Sequence, residues 1–175
     1  MINGVARDNS SKLDSPLASA LIPNYMKDFT VCTAESCTGG NIAHEITLVA
    51  GSSAYYVGGV VSYANQVKIN TLGVPAEYIE QNGAVSKPVV EAMAIGVRRI
   101  MDSDYSIATS GIAGPGGGST EKPVGTVWMA VADREKVYSQ LCKFDGTRAE
   151  IIAQATEAAF ELFREKFGFP LAHGK

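Results

Sequence analysis

Histidine is nearly missing from this chain of 175 residues: there are two, His44 and His173. His44 falls within an expected helix and His173 in a polar tail, so a Ser-His-Asp arrangement has no base to draw on. Metal-ligand patterns are missing as well. His44-Glu45 begins like His-Glu-x-x-His, but Leu48 stands where the second histidine belongs, and no metal is expected. The three cysteines, Cys32, Cys37 and Cys142, form no Cys-x-x-Cys pair, and an odd number argues against a disulfide framework. Reduced thiols in a cytoplasmic setting are the simpler reading. Basic residues are not in excess: the formal charge is -3, which leaves no general field for nucleic acid. No apolar run approaches the ~18 residues of a membrane span, and no signal-peptide core precedes the polar Asp8-Asn9-Ser10-Ser11-Lys12.

What is present is an ordinary globular composition, 46% hydrophobic, at a length that buries roughly two-thirds of the unfolded surface. A loose arm is expected over residues 1–15, a single domain over 16–168 and a tail over 169–175. Within the domain, residues 17–26 read as a short helix and 29–34 as a strand. A helix over 39–49 follows, then a β-rich stretch over 55–63 in which Gly58-Gly59 marks a bulge or a close backbone approach. A helix over 65–72 stops at Gly73 and Pro75. Ser86 is placed to cap the next helix, with Pro88 in its first turn and Val89, Met93, Val97 and Ile100 at helical spacing. A strand over 105–110 leads into a glycine-rich loop over 111–125. Strands over 126–132 and 137–144 form a hairpin around Asp133-Arg134-Glu135. Thr147-Arg148-Ala149-Glu150 is a capping box that opens a last helix ending at Phe167, before Gly168 and Pro170. Alternating strands and helices predict an α/β fold, and the late hairpin makes the sheet mixed.

Three places carry candidate chemistry. Ser36 ends an apolar strand at the mouth of the turn Glu35-Ser36-Cys37-Thr38-Gly39-Gly40, which leads into a helix. A hydroxyl there lies near free backbone N–H groups and the positive end of a helix dipole, a setting that suits a cap, an anion or a nucleophile. The local sequence leaves capping and catalysis both open. The Gly-x-Ser-x-Gly elbow fails, because Ala34 stands where the first glycine belongs. Cys37 is a rival nucleophile, read instead as a small buried residue because no histidine can activate it. The second place is Ser62-Tyr63-Ala64-Asn65-Gln66-Val67-Lys68. Lys68 deprotonates a serine only if burial or a nearby cation lowers its pKa, and an exposed surface lysine is the commoner case. The third is the loop from Ser110-Gly111 to Gly118-Ser119, whose N–H groups suit a phosphate. It lacks the Gly-Lys-Ser/Thr of a Walker loop, and it leads to a strand where a dinucleotide fingerprint needs a helix. No cofactor is expected. Arg148, at a helix start where a cation is slightly unfavourable, calls for an anionic ligand or a carboxylate partner.

The blocks Thr33-Ala34-Glu35-Ser36-Cys37-Thr38-Gly39-Gly40, Val61-Ser62-Tyr63-Ala64-Asn65 with Lys68, Gly83-Ala84-Val85-Ser86, Gly111-Ile112-Ala113-Gly114-Pro115-Gly116-Gly117-Gly118 and Lys122-Pro123-Val124-Gly125-Thr126-Val127 resemble the C-terminal domain of the competence/damage-inducible protein CinA. The resemblance implies a three-layer α/β/α sandwich with a mixed, mostly parallel sheet. It implies an amidase that converts nicotinamide mononucleotide to nicotinic acid mononucleotide and ammonia, serving pyridine-nucleotide salvage as a cytoplasmic homodimer. Carried over residue by residue, it makes Ser36 the nucleophile with Tyr63 and Lys68 as acid–base partners. Thr38, Gly39, Gly40, Ser110, Gly111 and Arg148 become the substrate-binding set. The chain departs from the family pattern at Ser110, usually Thr, and at Thr147, where an acidic residue often precedes the arginine. The alternative is a catalytically inactive nucleotide-binding paralogue of the same fold. A phosphate-loop transferase would need a loop lysine and metal carboxylates, and neither is evident.

Overall fold

The computed structural model describes residues 29–168. The expected arm, the 17–26 helix and the tail lie outside them. Five strands and five α-helices follow in the order β1 (Val31–Glu35), α1 (Asn41–Thr47), β2 (Tyr56–Val61), α2 (Asn65–Asn70), α3 (Ala76–Asn82), α4 (Lys87–Met101), β3 (Tyr105–Gly111), β4 (Thr126–Ala132), β5 (Val137–Lys143) and α5 (Arg148–Phe167). The strands form one sheet in the order β2-β1-β3-β4-β5. β1 runs parallel to both β2 and β3, whereas β3–β4 and β4–β5 are antiparallel. The sheet is therefore evenly mixed rather than mostly parallel, because the β4–β5 hairpin extends it on one side.

β1 and β3 sit inside the sheet and are buried along nearly their whole length, and their small polar residues Thr33, Ser106, Thr109 and Ser110 are buried with the apolar ones. Each face of the sheet carries its own core. On one face α4 packs Val89, Val90, Met93, Ala94 and Val97 against Cys32, Ala34, Ala108 and Ala130. On the other, α1 and α5 pack Ile42, Ile46, Ile151, Phe160 and Phe163 against Val31, Ile107, Val127 and Met129. Each fully buried Phe or Ile contributes about 1.5–3 kcal/mol. These three layers match the expected sandwich.

Most local expectations hold within two residues of each end. β4 has its expected bounds, and α5 opens on the capping box with Thr147 accepting from the Glu150 N–H. Gly58-Gly59 combines both readings offered for it. The β1–β2 register slips between Val31 and Cys32, and a side chain at Gly59 would overlap Thr33 Oγ1. Three details differ. Ser86 occupies the N-cap position of α4 but makes no cap bond; its hydroxyl donates back to the Gly83 carbonyl at 2.8 Å. Ile100 lies off the buried face, 48% exposed. Helix α3 was not expected at all, and it buries no residue fully.

Candidate active site

The carboxyl ends of the three mutually parallel strands meet at one edge of the molecule, the place where open α/β sheets bind ligands. β1 ends at Glu35 and delivers Ser36, whose N–H donates to the Thr109 carbonyl at 3.0 Å. β2 ends at Val61 and delivers Ser62, whose N–H donates to the Glu35 carbonyl at 2.8 Å. β3 ends at Ser110-Gly111. A cavity of about 260 Å³ opens between them, lined by Ser36, Cys37, Tyr63, Asn65, Lys68, Ser110, Gly111, Arg148 and the first part of the glycine loop.

Lys68 is 1% exposed. It lies in the last turn of α2, and its Nζ reaches the Ser36 Oγ at 3.0 Å and the carbonyls of Ser62 and Tyr63 at 2.6 and 3.4 Å. An ammonium meets these three oxygens with its three N–H donors; a neutral amine meets them with two N–H groups on the carbonyls and its lone pair accepting the Ser36 hydroxyl proton, the form a base needs. Burial pushes the Lys68 pKa below the ordinary 10.5, with Cys37 pulling the other way. That opposing pull requires a thiolate, and burial drives the Cys37 thiol up to about 12. The Cys37 thiol therefore stays protonated and packs in the core, as its apolar reading expected.

The turn after Ser36 is held by a residue that sequence reasoning did not single out. Glu35 is 1% exposed. Its Oε2 accepts from Thr38 Oγ1 at 2.7 Å and from the N–H groups of Gly40 and Ile42, both at 3.0 Å, while its Oε1 accepts from the Ala43 N–H at 2.9 Å. An internal carboxylate thus occupies the positive end of α1, which the sequence left open for Ser36 or an anion. Thr38, Gly39 and Gly40 do not line the cavity. Thr38 bonds Glu35 and Thr109, Gly39 donates to the Ser36 carbonyl, and Gly40 donates to Glu35. These three residues shape the turn from behind. The one available signal was an acidic residue just ahead of a glycine turn and a helix.

Tyr63 is 61% exposed. Its hydroxyl accepts from Arg148 at 2.9 Å, and its carbonyl, not its ring, meets Lys68. Arg148 also donates to the Gly114 carbonyl at 2.7 Å, so the arginine and the glycine loop form one wall. Among the described residues no carboxylate pairs with Arg148. Ser110 is buried and donates to the Ala84 carbonyl at 2.8 Å, tying the Gly83–Ser86 segment to the cavity. Gly111 has no room for a side chain: a Cβ there would lie 2.6 Å from Val127 Cγ2 and 3.0 Å from Cys37 Sγ. The described residues hold no group of three or more His, Cys, Asp or Glu suited to a metal ion, and none of their helices is long and apolar enough to cross a membrane.

Fold and site together define an α/β/α domain with a buried serine–lysine pair at the carboxyl ends of its parallel strands. The chain belongs to the CinA C-terminal domain family, whose model matches residues 13–167. Among curated relatives, a CinA-like protein of Shewanella sediminis is 44% identical over 165 residues, covering 94% of this chain and 38% of the relative. A CinA-like protein of Geotalea daltonii is 50% identical over 137 residues, covering 78% of this chain and 33% of the relative. The chain thus spans little more than a third of the length of the curated relatives it matches. Among solved structures, a CinA superfamily protein of Klebsiella pneumoniae superposes with a TM-score of 0.81 at 36% identity, covering 85% of this chain and 94% of that one.

Proposed function

We propose that this chain is an amidohydrolase that converts the carboxamide of nicotinamide mononucleotide to the carboxylate, with release of ammonia. The observation that carries the reading is the buried Lys68 Nζ, 3.0 Å from the Ser36 Oγ, with its pKa lowered by burial. Nucleophile and base stand within direct hydrogen-bond reach, so no relay through Tyr63 is needed. The Ser36 proton moves to Lys68 as Oγ bonds to the carboxamide carbon. The oxyanion is received at the N–H of Cys37, the residue after Ser36 that lines the cavity, because those of Gly39 and Gly40 are engaged elsewhere. Lys68 then returns the proton to the amide nitrogen, the C–N bond breaks, and ammonia leaves an ester on Ser36. Water, deprotonated by Lys68, attacks the ester carbon. The nicotinate leaves, and the proton goes back to Ser36. The substrate's pyridinium charge further disfavours a protonated lysine.

Arg148 supports a nucleotide substrate, since among the described residues its charge has only neutral partners, the Tyr63 hydroxyl and the Gly114 carbonyl. The phosphate is received on that wall, at Arg148 and the adjoining loop. Tyr63 positions both ends of the site, through its carbonyl and its hydroxyl. Incubation of the protein with nicotinamide mononucleotide, read by mass spectrometry, tests the reading: nicotinic acid mononucleotide and ammonia are expected. Binding of the nucleotide without either product would instead identify a nucleotide-binding paralogue. A homodimer is part of the same proposal, and sedimentation of the purified chain tests it.

A further inference from the structure

Asn65 opens α2 and lies one helical turn before Lys68, on the same side of the helix. It is exposed and lines the cavity. Each other hydrogen-bonding side chain in that wall already has an intramolecular bond. Ser36 is held by Lys68, Lys68 by two further carbonyls, Ser110 by Ala84, and Arg148 by Gly114 and Tyr63. Among the described residues, the Asn65 carboxamide has no such bond, so a polar wall position is left uncommitted beside the reactive pair.

We infer that Asn65 is a specificity-determining residue that binds the vicinal hydroxyls of the substrate's ribose. This rests on the amidase reading above. The choice follows from matching donors to acceptors. A side-chain amide presents one acceptor and one donor group, and a vicinal diol both donates and accepts. A phosphate only accepts and is better met by Arg148. The scissile carboxamide belongs at Ser36, and a pyridinium ring offers no hydroxyl or N–H. Tyr63, two residues before Asn65, joins the reactive end to the Arg148 end through its carbonyl and hydroxyl. The wall segment carrying Asn65 thus runs between the parts of the site that take the two ends of a mononucleotide.

The test measures binding by calorimetry in a Ser36→Ala background, which removes turnover. The ligands are nicotinamide mononucleotide and its 2′,3′-dideoxy analogue. Asn65→Ala should weaken the natural nucleotide by about three- to thirtyfold, as expected for one to two neutral hydrogen bonds of ordinary strength, and leave the dideoxy analogue unchanged. Circular dichroism melts check that the variant folds, which its exposed position favours. Equal weakening of both ligands, or of neither, overturns the role of Asn65 while leaving the amidase reading intact. No binding of nicotinamide mononucleotide to the protein with Asn65 in place, together with no turnover by the unaltered protein, overturns both.

Discussion

Glu35 offers the sharpest structural prediction, because the two oxygens of its carboxylate do different work. Oε2 accepts from three donors, Thr38 Oγ1, Gly40 N and Ile42 N, and Oε1 accepts from Ala43 N. Glu35→Gln preserves shape and one carbonyl oxygen, which best serves the three-donor side. The new NH2 then faces the Ala43 N–H, donor against donor. Leaving one buried donor unsatisfied costs about 1–3 kcal/mol. Removing the negative charge from the helix N-terminus costs about 0.3–1 kcal/mol more, and up to ~2 in a partly buried geometry. The expected loss is therefore about 2–4 kcal/mol. In a domain of this size that lowers the melting temperature by roughly 5–15 °C. Urea unfolding should show a lower midpoint at an unchanged slope, since the exposed surface does not change. Because Ser36 follows Glu35 directly, turnover per folded molecule should fall as well. A Glu35→Gln protein within about 0.5 kcal/mol of the parent, the range of an ordinary surface change, would refute the claim that this carboxylate organises the turn.

Further outcomes follow from the same site. Turnover needs neutral Lys68, so kcat/KM should rise with pH and level off below 10.5, the ordinary lysine value from which burial lowers it; a profile still climbing at 10.5 would contradict the shift. Between the lowered pKa and 10.5 the folded chain binds fewer protons at Lys68 than the unfolded chain, so the Lys68 contribution makes stability rise with pH across that window, as denaturation at several pH values would show. Burial drives the thiols of Cys37 and Cys32 up to about 12 and about 11. Iodoacetamide near neutral pH should therefore leave both unmodified in the folded protein and label both in urea, with the half-buried Cys142 reacting first; peptide masses read the result.

The sequence was legible where the structure is local or strongly patterned. The capping box at Thr147 and Glu150 needs only four consecutive residues, and the buried runs of β1 and β4 announce themselves by composition. Ser36 was nameable because it stands just beyond a strand, and Lys68 because it lies on the short helix that follows the next one; strand ends converge in an α/β sheet. Their direct contact was not legible, since it depends on how far α2 folds back over 32 residues. Glu35 escaped notice for a related reason. An acidic residue at a strand end looks solvated until the turn closes and brings three helix N–H groups to it. Helix α3 has no fully buried residue, so no apolar periodicity marks it. The bond from Arg148 to Tyr63 spans 85 positions, so no local pattern in the sequence marks it.

The central claim is that Ser36 attacks and Lys68 takes its proton. The most direct test is the steady-state rate of nicotinic acid mononucleotide formation by the parent, Ser36→Ala and Lys68→Arg proteins, each verified as folded. Arginine keeps the charge but holds its proton at any accessible pH. The account predicts product from the parent and losses of at least ~10³-fold in both variants, in line with removal of a nucleophile or its base. Turnover near the parental rate in either variant would contradict it.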